Sequence, residues 1–129
     1  MKPIRVLVVD DSVTTRKFLV EALEADRRFE VAGEADNGRD AVRLCCALRP
    51  DVLSLDIVMP DMSGHDATVQ IMEALPTPIL IVSAATNRGL RFDTYSALSA
   101  GAVDVLEKPG ILSGGDDWKK EYLRRLRTV

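Results

Sequence analysis

The sequence has no long apolar run and no excess of positive charge. No apolar run approaches the length that a helix needs to span a bilayer, and the N-terminus leads into a predicted strand without a signal-peptide pattern. The formal net charge is -3, whereas neutralising nucleic-acid phosphates requires a clear excess of Lys and Arg. We therefore expect a cytoplasmic protein that binds neither a membrane nor, directly, a nucleic acid.

Cysteine and histidine are also scarce. The two cysteines, Cys45 and Cys46, are neighbours in a predicted helix, where adjacent side chains point about 100° apart. They are poorly placed to share a metal ion or to form a disulfide with each other, and we expect helix-face residues in a reducing compartment. His65, the only histidine, follows Gly64 and is expected to be a surface residue that opens a helix.

Nucleotide-binding motifs are missing as well. Residues 33–40, GEADNGRD, have the glycine spacing of a phosphate-binding P-loop but lack its lysine and its serine or threonine. No G-x-G-x-x-G fingerprint occurs. With 129 residues the chain is long enough to bury one core, and we expect a single domain over residues 1–129.

The most informative stretch is DVLSLDIVMP, residues 51–60. The near-continuous apolar pattern of Val52, Leu53 and Leu55 is typical of a strand that is covered on both faces. This pattern places Asp56 at the end of the strand. Open α/β sheets bind ligands outside the carboxyl ends of their strands, so Asp56 is a candidate functional residue. Taken alone, a purely structural role at the end of the strand explains it equally well.

Predicted strands and helices alternate along the chain. Apolar runs predict four further strands, and apolar residues at helical spacing predict five helices. This alternation is typical of the α/β class, here a doubly wound five-stranded parallel sheet with five helices on its two faces. The further strands are predicted at residues 4–9, 29–33, 79–83 and 103–106, and the helices at about 16–24, 41–48, 65–75, 90–100 and 116–126.

Charged and hydroxyl side chains follow several of these strands. Asp10 and Asp11 follow the first strand, Asp56 ends the third, Ser83 ends the fourth and Lys108 follows the fifth. Because the carboxyl ends of parallel strands share one edge, these side chains can converge in one crevice. Neighbouring carboxylates repel one another unless a cation lies among them, and oxygen ligands suit a hard ion such as Mg²⁺. A carboxylate nucleophile, a divalent ion and a lysine are what phosphoryl transfer to Asp56 requires, with a hydroxyl from Ser83 to bond the phosphoryl group.

Over essentially its whole length, the sequence resembles the receiver domain of two-component response regulators. Four motifs carry the resemblance, in order: VLVVDDS (6–12), DVLSLDIVMPDMSG (51–64), ILIVSA (79–84) and EKP (107–109). The wording AGEADNGRDAV, PTPILIVSA and GAVDVLEKP looks most like the receivers of chemotaxis protein-glutamate methylesterases. The resemblance implies a flavodoxin-like strand order, 2-1-3-4-5.

The same resemblance implies a role for each residue at the predicted edge. Asp56 would be the phosphoacceptor, Lys108 the phosphate partner and Ser83 the switch hydroxyl. The implied partners are a histidine kinase, of the chemotaxis type in the narrower match, and an output domain or partner protein. The implied Mg²⁺ ligands are Asp11 and Asp56 directly, Asp10 through water, and the carbonyl of Val58.

Three further expectations concern positions near the site. Receivers usually carry an aromatic residue three positions before the lysine, and Val105 in its place makes a rotating-ring switch unexpected here. Val58 and Ala85 flank the path of the hydrolytic water in the family, and their apolar side chains predict a long-lived phosphorylated state. The resemblance also implies a tight turn that aims Lys108 back at the site, and since an X-Pro bond loses little by being cis, the Lys108–Pro109 bond is expected to be cis.

Other functions fit parts of the sequence. A haloacid-dehalogenase-type phosphatase also uses an aspartate nucleophile with Mg²⁺ but needs acids at alternating positions, whereas Asp10 and Asp11 are adjacent and Ile57 and Val58 follow Asp56. A degenerate receiver that binds partners without phosphorylation is the structural alternative. A methylesterase activity would require a further catalytic domain, because the chain has one histidine and no G-x-S-x-G motif.

Overall fold

The computed structural model of the protein describes residues 2–83, 101–102, 104–108 and 115–129. Within these ranges, none of the helices has both the length and the apolar character needed to cross a bilayer. The elements of these ranges, in chain order, are β1 Ile4–Val9, α1 Val13–Glu24, β2 Phe29–Ala35, α2 Gly38–Leu48, β3 Val52–Asp56, α3 Gly64–Ala74, β4 Ile79–Ser83, β5 Asp104–Glu107 and α4 Asp116–Thr128.

All neighbouring strands pair in parallel, and their order in the sheet is β2-β1-β3-β4-β5. The predicted five-stranded parallel sheet and its flavodoxin-like order are therefore confirmed. Four of the five predicted helices are found in the described part of the chain. The helix predicted at 90–100 lies outside the described residues.

The helices cover both faces of the sheet. On one face, Leu19 of α1 and Tyr122 of α4 belong to one buried apolar cluster with residues of the sheet. On the other face, Ala41 of α2 and Ile71 of α3 belong to a second cluster. Every residue of β3 is buried, as its near-continuous apolar pattern predicts. Because fully burying one large aliphatic side chain stabilises a fold by about 1.5–3 kcal/mol, this double cover holds β3 firmly in the centre.

Two predicted strand ends are wrong by one or two residues. β2 continues to Ala35 instead of ending at Gly33, because its backbone pairs with β1 as far as Val9 despite the polar Glu34. β5 is described over Asp104–Glu107 and ends one residue later than predicted, because Glu107 still pairs with Ser83, the last residue of β4. Residue 103, where the strand is predicted to begin, lies outside the described residues.

Side-chain caps mark the starts of the first three helices. Ser12, Asn37 and Ser63 each accept a hydrogen bond from the backbone N–H three residues further on. α2 ends at Leu48, and Arg49 then adopts a left-handed conformation with φ of 48°. Pro50 follows Arg49, and a proline disfavours right-handed helical geometry in the residue before it.

Candidate functional site

The carboxyl edge of the sheet brings together Asp10, Asp56 and Lys108. The Nζ atom of Lys108 lies 3.1 Å from Oδ2 of Asp10 and 3.2 Å from Oδ2 of Asp56. The two aspartates are only 1% and 3% exposed, so their carboxylates are withdrawn from bulk water. Asp56 is the last residue of β3, where the sequence predicts it. The three residues form a largely buried cluster with two acidic groups and one basic group.

Backbone and side-chain contacts orient Asp10. The N–H of Ser12 donates to its Oδ1 atom at 2.8 Å, which leaves Oδ2 directed at Lys108. Arg16 donates from Nη1 to the Asp10 carbonyl at 2.8 Å and pairs with Glu34 at 3.1 Å. Neither Ser12 nor Arg16 is among the predicted site residues. Serine directly before a helical pattern is a capping signal that could have indicated Ser12, whereas no local pattern indicates the contact of Arg16.

Asp11 adds an exposed carboxylate to the same edge. One oxygen from each of Asp10, Asp11 and Asp56 lies within 4.8 Å of the others, a grouping that could hold a metal ion. A set of carboxylate oxygens suits a hard divalent cation. The donor chemistry and spacing therefore fit the ion that the sequence predicts.

The charges of this cluster act on one another strongly. Burial raises the pKa of Asp56, repulsion by the Asp10 carboxylate raises it further, and Lys108 opposes both effects, so that the pKa is about 7. Burial alone would lower the pKa of Lys108, but the attraction of Asp56 and Asp10 outweighs it, and the pKa is raised. Lys108 is therefore charged at neutral pH, and a second cation would relieve the repulsion that remains between the acids.

The unfavourable environment of the ionised Asp56 carboxylate, which is buried beside Asp10, predicts that the stability of the metal-free protein depends on pH. The raised pKa means that the folded protein binds more protons than the unfolded chain between the ordinary value of 3.8 and about 7, so the contribution of Asp56 to stability falls as the pH rises through that window. Asp56→Asn removes this titration. In EDTA, we expect urea denaturation to show the variant more stable than wild type by on the order of 1–4 kcal/mol at pH 8.

The pH series supplies the control for that expectation. At pH 5, Asp56 is largely protonated in the folded protein, and the advantage of Asp56→Asn should shrink. If Asp56→Asn were more stable than wild type by the same amount at both pH values, ionisation of the Asp56 carboxylate would not be the cause.

Val58 and Gly64 shape the loop after Asp56. The N–H of Val58 donates to Oδ1 of Asp56 at 3.3 Å, and the Val58 side chain is 46% exposed. The N–H of Gly64 donates to the Ile57 carbonyl at 2.7 Å, and a Cβ atom on Gly64 would lie 2.7 Å from Cα of Ile57. Glycine is therefore required for this close approach, and the closed loop places Val58 at the rim of the site.

Ser83 lies at the same edge. Ser83 is the last residue of β4 and is buried. The residue before it in β4, Val82, is the register partner of Asp56 in β3. The Ser83 carbonyl accepts a hydrogen bond from the N–H of Lys108 at 2.6 Å, which joins the ends of β4 and β5. Ala85 and Pro109 lie outside the described residues, so the expectations for those positions stay predictions.

Trp118 of α4 contacts the strand end that carries Lys108. Its indole Nε1 donates to the carbonyl of Glu107 at 2.7 Å, and its ring centroid lies 5.8 Å from that of Phe18 and 5.3 Å from that of Tyr122. The helical spacing of Trp118, Tyr122 and Leu126 indicates only that they share the apolar face of this helix. The sequence does not indicate the hydrogen bond, because a helical pattern shows which face is buried but not which distant carbonyl that face meets.

The two cysteines and the single histidine differ in their exposure to solvent. Cys45 is buried, with its Sγ atom 3.4 Å from Oγ1 of Thr77, while Cys46 is exposed. His65 is the second residue of α3, as predicted, but it is half-buried and its Nδ1 atom is shielded from solvent. The predicted position at the start of α3 is therefore confirmed, and the side chain is partly rather than fully exposed.

The fold and the site define a class of protein. It has a doubly wound parallel sheet with a buried aspartate at the end of the central strand, two further acids after β1 and a lysine after β5. The profile of the response regulator receiver domain family matches residues 6–113. The chain belongs to this family.

Individual relatives narrow the resemblance. Over 84% of its length, the chain is 49% identical to protein-glutamate methylesterase/protein-glutamine glutaminase 2 of Carboxydothermus hydrogenoformans. It is 48% identical over the same share to the corresponding protein of Methanococcus maripaludis. The chain spans about 30% of the length of these relatives, and it resembles their receiver portion.

Solved structures agree with this resemblance. The response regulator domain of Thermotoga maritima CheB superposes with a TM-score of 0.85 at 36% identity, covering 98% of this chain and 96% of that one. The CheX-CheY-BeF3-Mg+2 complex from Borrelia burgdorferi gives a TM-score of 0.79 at 29% identity, covering 98% and 88%.

Proposed function

We propose that this chain is a phosphorylation-controlled signalling switch in which Asp56 accepts a phosphoryl group from a histidine kinase. The observation that carries the proposal is the position of the Asp56 carboxylate, buried at the end of β3 within 3.2 Å of Lys108 and beside Asp10 and Asp11. In the reaction, an Asp56 oxygen forms a bond to phosphorus while the P–N bond of the donor phosphohistidine breaks, and the released imidazole takes a proton from solvent.

The residues around Asp56 have separate roles in this proposal. Lys108 neutralises phosphoryl oxygens, and the Ser83 hydroxyl bonds the phosphoryl group once it is attached. Asp11, Asp56 and the carbonyl of Val58 would hold Mg²⁺ directly, and Asp10 would hold it through water. The bound ion would neutralise charge that develops on the phosphoryl oxygens.

We further propose that these residues form one domain of a cytoplasmic regulator. Its kinase would be of the chemotaxis type, and its output would be a methylesterase domain like that of the curated relatives. Phosphorylation adds charge and acceptor oxygens beside Ser83 and Lys108, which biases a two-state element toward one arrangement.

A titration with beryllofluoride, with and without Mg²⁺, tests this function. Trp118 is the only tryptophan, and its hydrogen bond to the Glu107 carbonyl places a fluorescent reporter beside the Lys108 segment. We expect a saturable change in fluorescence and in backbone amide chemical shifts near Asp56 that requires both reagents. Unchanged amide shifts at saturating reagents would indicate the degenerate receiver instead.

The lifetime of the phosphorylated state gives a further prediction. The exposed Val58 side chain offers no hydrogen bond to orient the hydrolytic water, and orientation is a large part of what a protein contributes to this reaction. Val58→Asn supplies an amide that can orient the water by hydrogen bonding and should speed the decay of phosphorylated protein by about tenfold, well within what positioning can contribute.

The decay is measured in excess Mg²⁺ after removal of the phosphodonor. Val58→Leu serves as the control, because it keeps the side chain apolar and should decay at the wild-type rate. If the asparagine variant decays no faster than wild type, backbone and Mg²⁺ rather than this side chain set the lifetime.

A further inference from the structure

Asp61 joins the loop after β3 to the start of α2. Its Oδ1 atom accepts a hydrogen bond from the N–H of Gly38, and its Oδ2 atom accepts one from the N–H of Arg39, each at 2.8 Å. The first N–H groups of a helix have no partner within the helix. The Asn37 side chain accepts the hydrogen bond from the N–H of Asp40. Asp61, from a different part of the chain, accepts those from Gly38 and Arg39.

The charge of Asp61 suits this position. The hydrogen bond from Gly38 is the main cause that holds the pKa of Asp61 below its ordinary value, assisted by that from Arg39. A carboxylate at a helix N-terminus also interacts favourably with the helix dipole. Asp61 is therefore an ionised, bidentate anchor at neutral pH.

Packing reinforces the anchor. A Cβ atom placed on Gly38 would lie 2.2 Å from Cγ of Met62, so the residue after Asp61 lies directly against the first turn of α2. The absence of a side chain at Gly38 allows this close approach. The tip of the loop thus touches α2 through both a hydrogen-bonded carboxylate and an apolar side chain.

The base of the loop is held separately. The N–H of Gly64 bonds the Ile57 carbonyl at 2.7 Å, and the N–H of Val58 bonds Oδ1 of Asp56 at 3.3 Å. Val58 therefore lies between a closed base and the Asp61 anchor. A loop held at both places has little freedom left to lose when its backbone groups bind a ligand.

We propose that Asp61 is a positioning residue for the metal site: by fixing the loop tip on α2, it holds the Val58 carbonyl ready to bind Mg²⁺. This inference rests on the proposed function, in which that carbonyl is a ligand. Without Asp61, the loop must be ordered when the ion binds, and Mg²⁺ affinity falls. Partners that orient metal ligands typically change affinity by about 10–100-fold, and an effect near the lower end is expected for one backbone ligand among several.

Asp61→Ala and Asp61→Asn, compared with Asp51→Ala, test this role. Asp51 is a matched control, because its carboxylate also accepts a backbone N–H, from Arg5 at 2.9 Å, but it precedes β3 at the opposite edge of the sheet. The Mg²⁺ dissociation constant is measured by isothermal titration calorimetry. We expect it to rise about tenfold in Asp61→Ala, to rise less in Asp61→Asn, which keeps one acceptor oxygen, and to stay within about twofold in Asp51→Ala.

Hydrogen exchange supplies a second readout that does not depend on activity. The amides of Gly38 and Arg39 should exchange faster in Asp61→Ala than in wild type, while those of β3 stay protected. Wild-type Mg²⁺ affinity in a variant with these amides deprotected would overturn the positioning role and leave the proposed function intact. Failure of wild-type protein to bind Mg²⁺ would instead overturn the proposed function, and this role with it.

Discussion

Asp56→Asn is expected to abolish labelling of the protein by acetyl phosphate. The carboxylate oxygen is the nucleophile in the proposed transfer, and the amide of asparagine is a far weaker one. The neighbouring acids are poorly placed to replace Asp56 as the nucleophile. Both carboxylate oxygens of Asp10 are engaged, Oδ1 by the Ser12 N–H and Oδ2 by Lys108, and Asp11 is exposed. Labelling should be measured in saturating Mg²⁺ with phosphoprotein gels and mass spectrometry.

A matched variant separates loss of the nucleophile from loss of acidic charge. Asp36 follows the end of β2 at the same edge of the sheet and is exposed, so Asp36→Asn should be labelled at close to the wild-type rate. If Asp56→Asn were labelled as strongly as wild type and the label mapped to another residue, the assignment of Asp56 as the phosphoacceptor would be wrong.

Lys108→Met is expected to slow the same labelling reaction by about 10²–10³-fold. The ammonium group lies within 3.2 Å of both Asp10 and Asp56, where it can neutralise the oxygens of an incoming phosphoryl group. Methionine keeps much of the apolar stem but removes the charge. The initial rate of labelling at saturating Mg²⁺ measures the effect.

Lys119→Met provides the control for that rate. Lys119 belongs to α4, where its Nζ atom lies over the Phe18 ring at 5.1 Å, so its charge serves a different contact. A rate for Lys108→Met within about threefold of wild type would show that Mg²⁺ alone supplies the charge stabilisation.

Much of this site could be predicted from sequence because it is built from strand ends. The apolar pattern before Asp56 identifies a strand buried on both faces, and alternation with helices makes the sheet parallel. A parallel sheet then brings the residues after β1, β3 and β5 to one edge, whatever their separation along the chain. The meeting of Asp10, Asp56 and Lys108 follows from these local patterns together.

Tertiary structure decided the contacts that no local period encodes. Asp61 reaches the amide of Gly38, 23 residues away, and Trp118 reaches the carbonyl of Glu107. Each of these bonds joins a side chain to a backbone group of another element, and backbone groups are the same in every sequence. Their pairing depends on how closely two elements pack, which the side chains of the whole core set together. The burial that raises the pKa of Asp56 has the same origin, because desolvation comes from all the atoms around a group and not from its neighbours in the sequence.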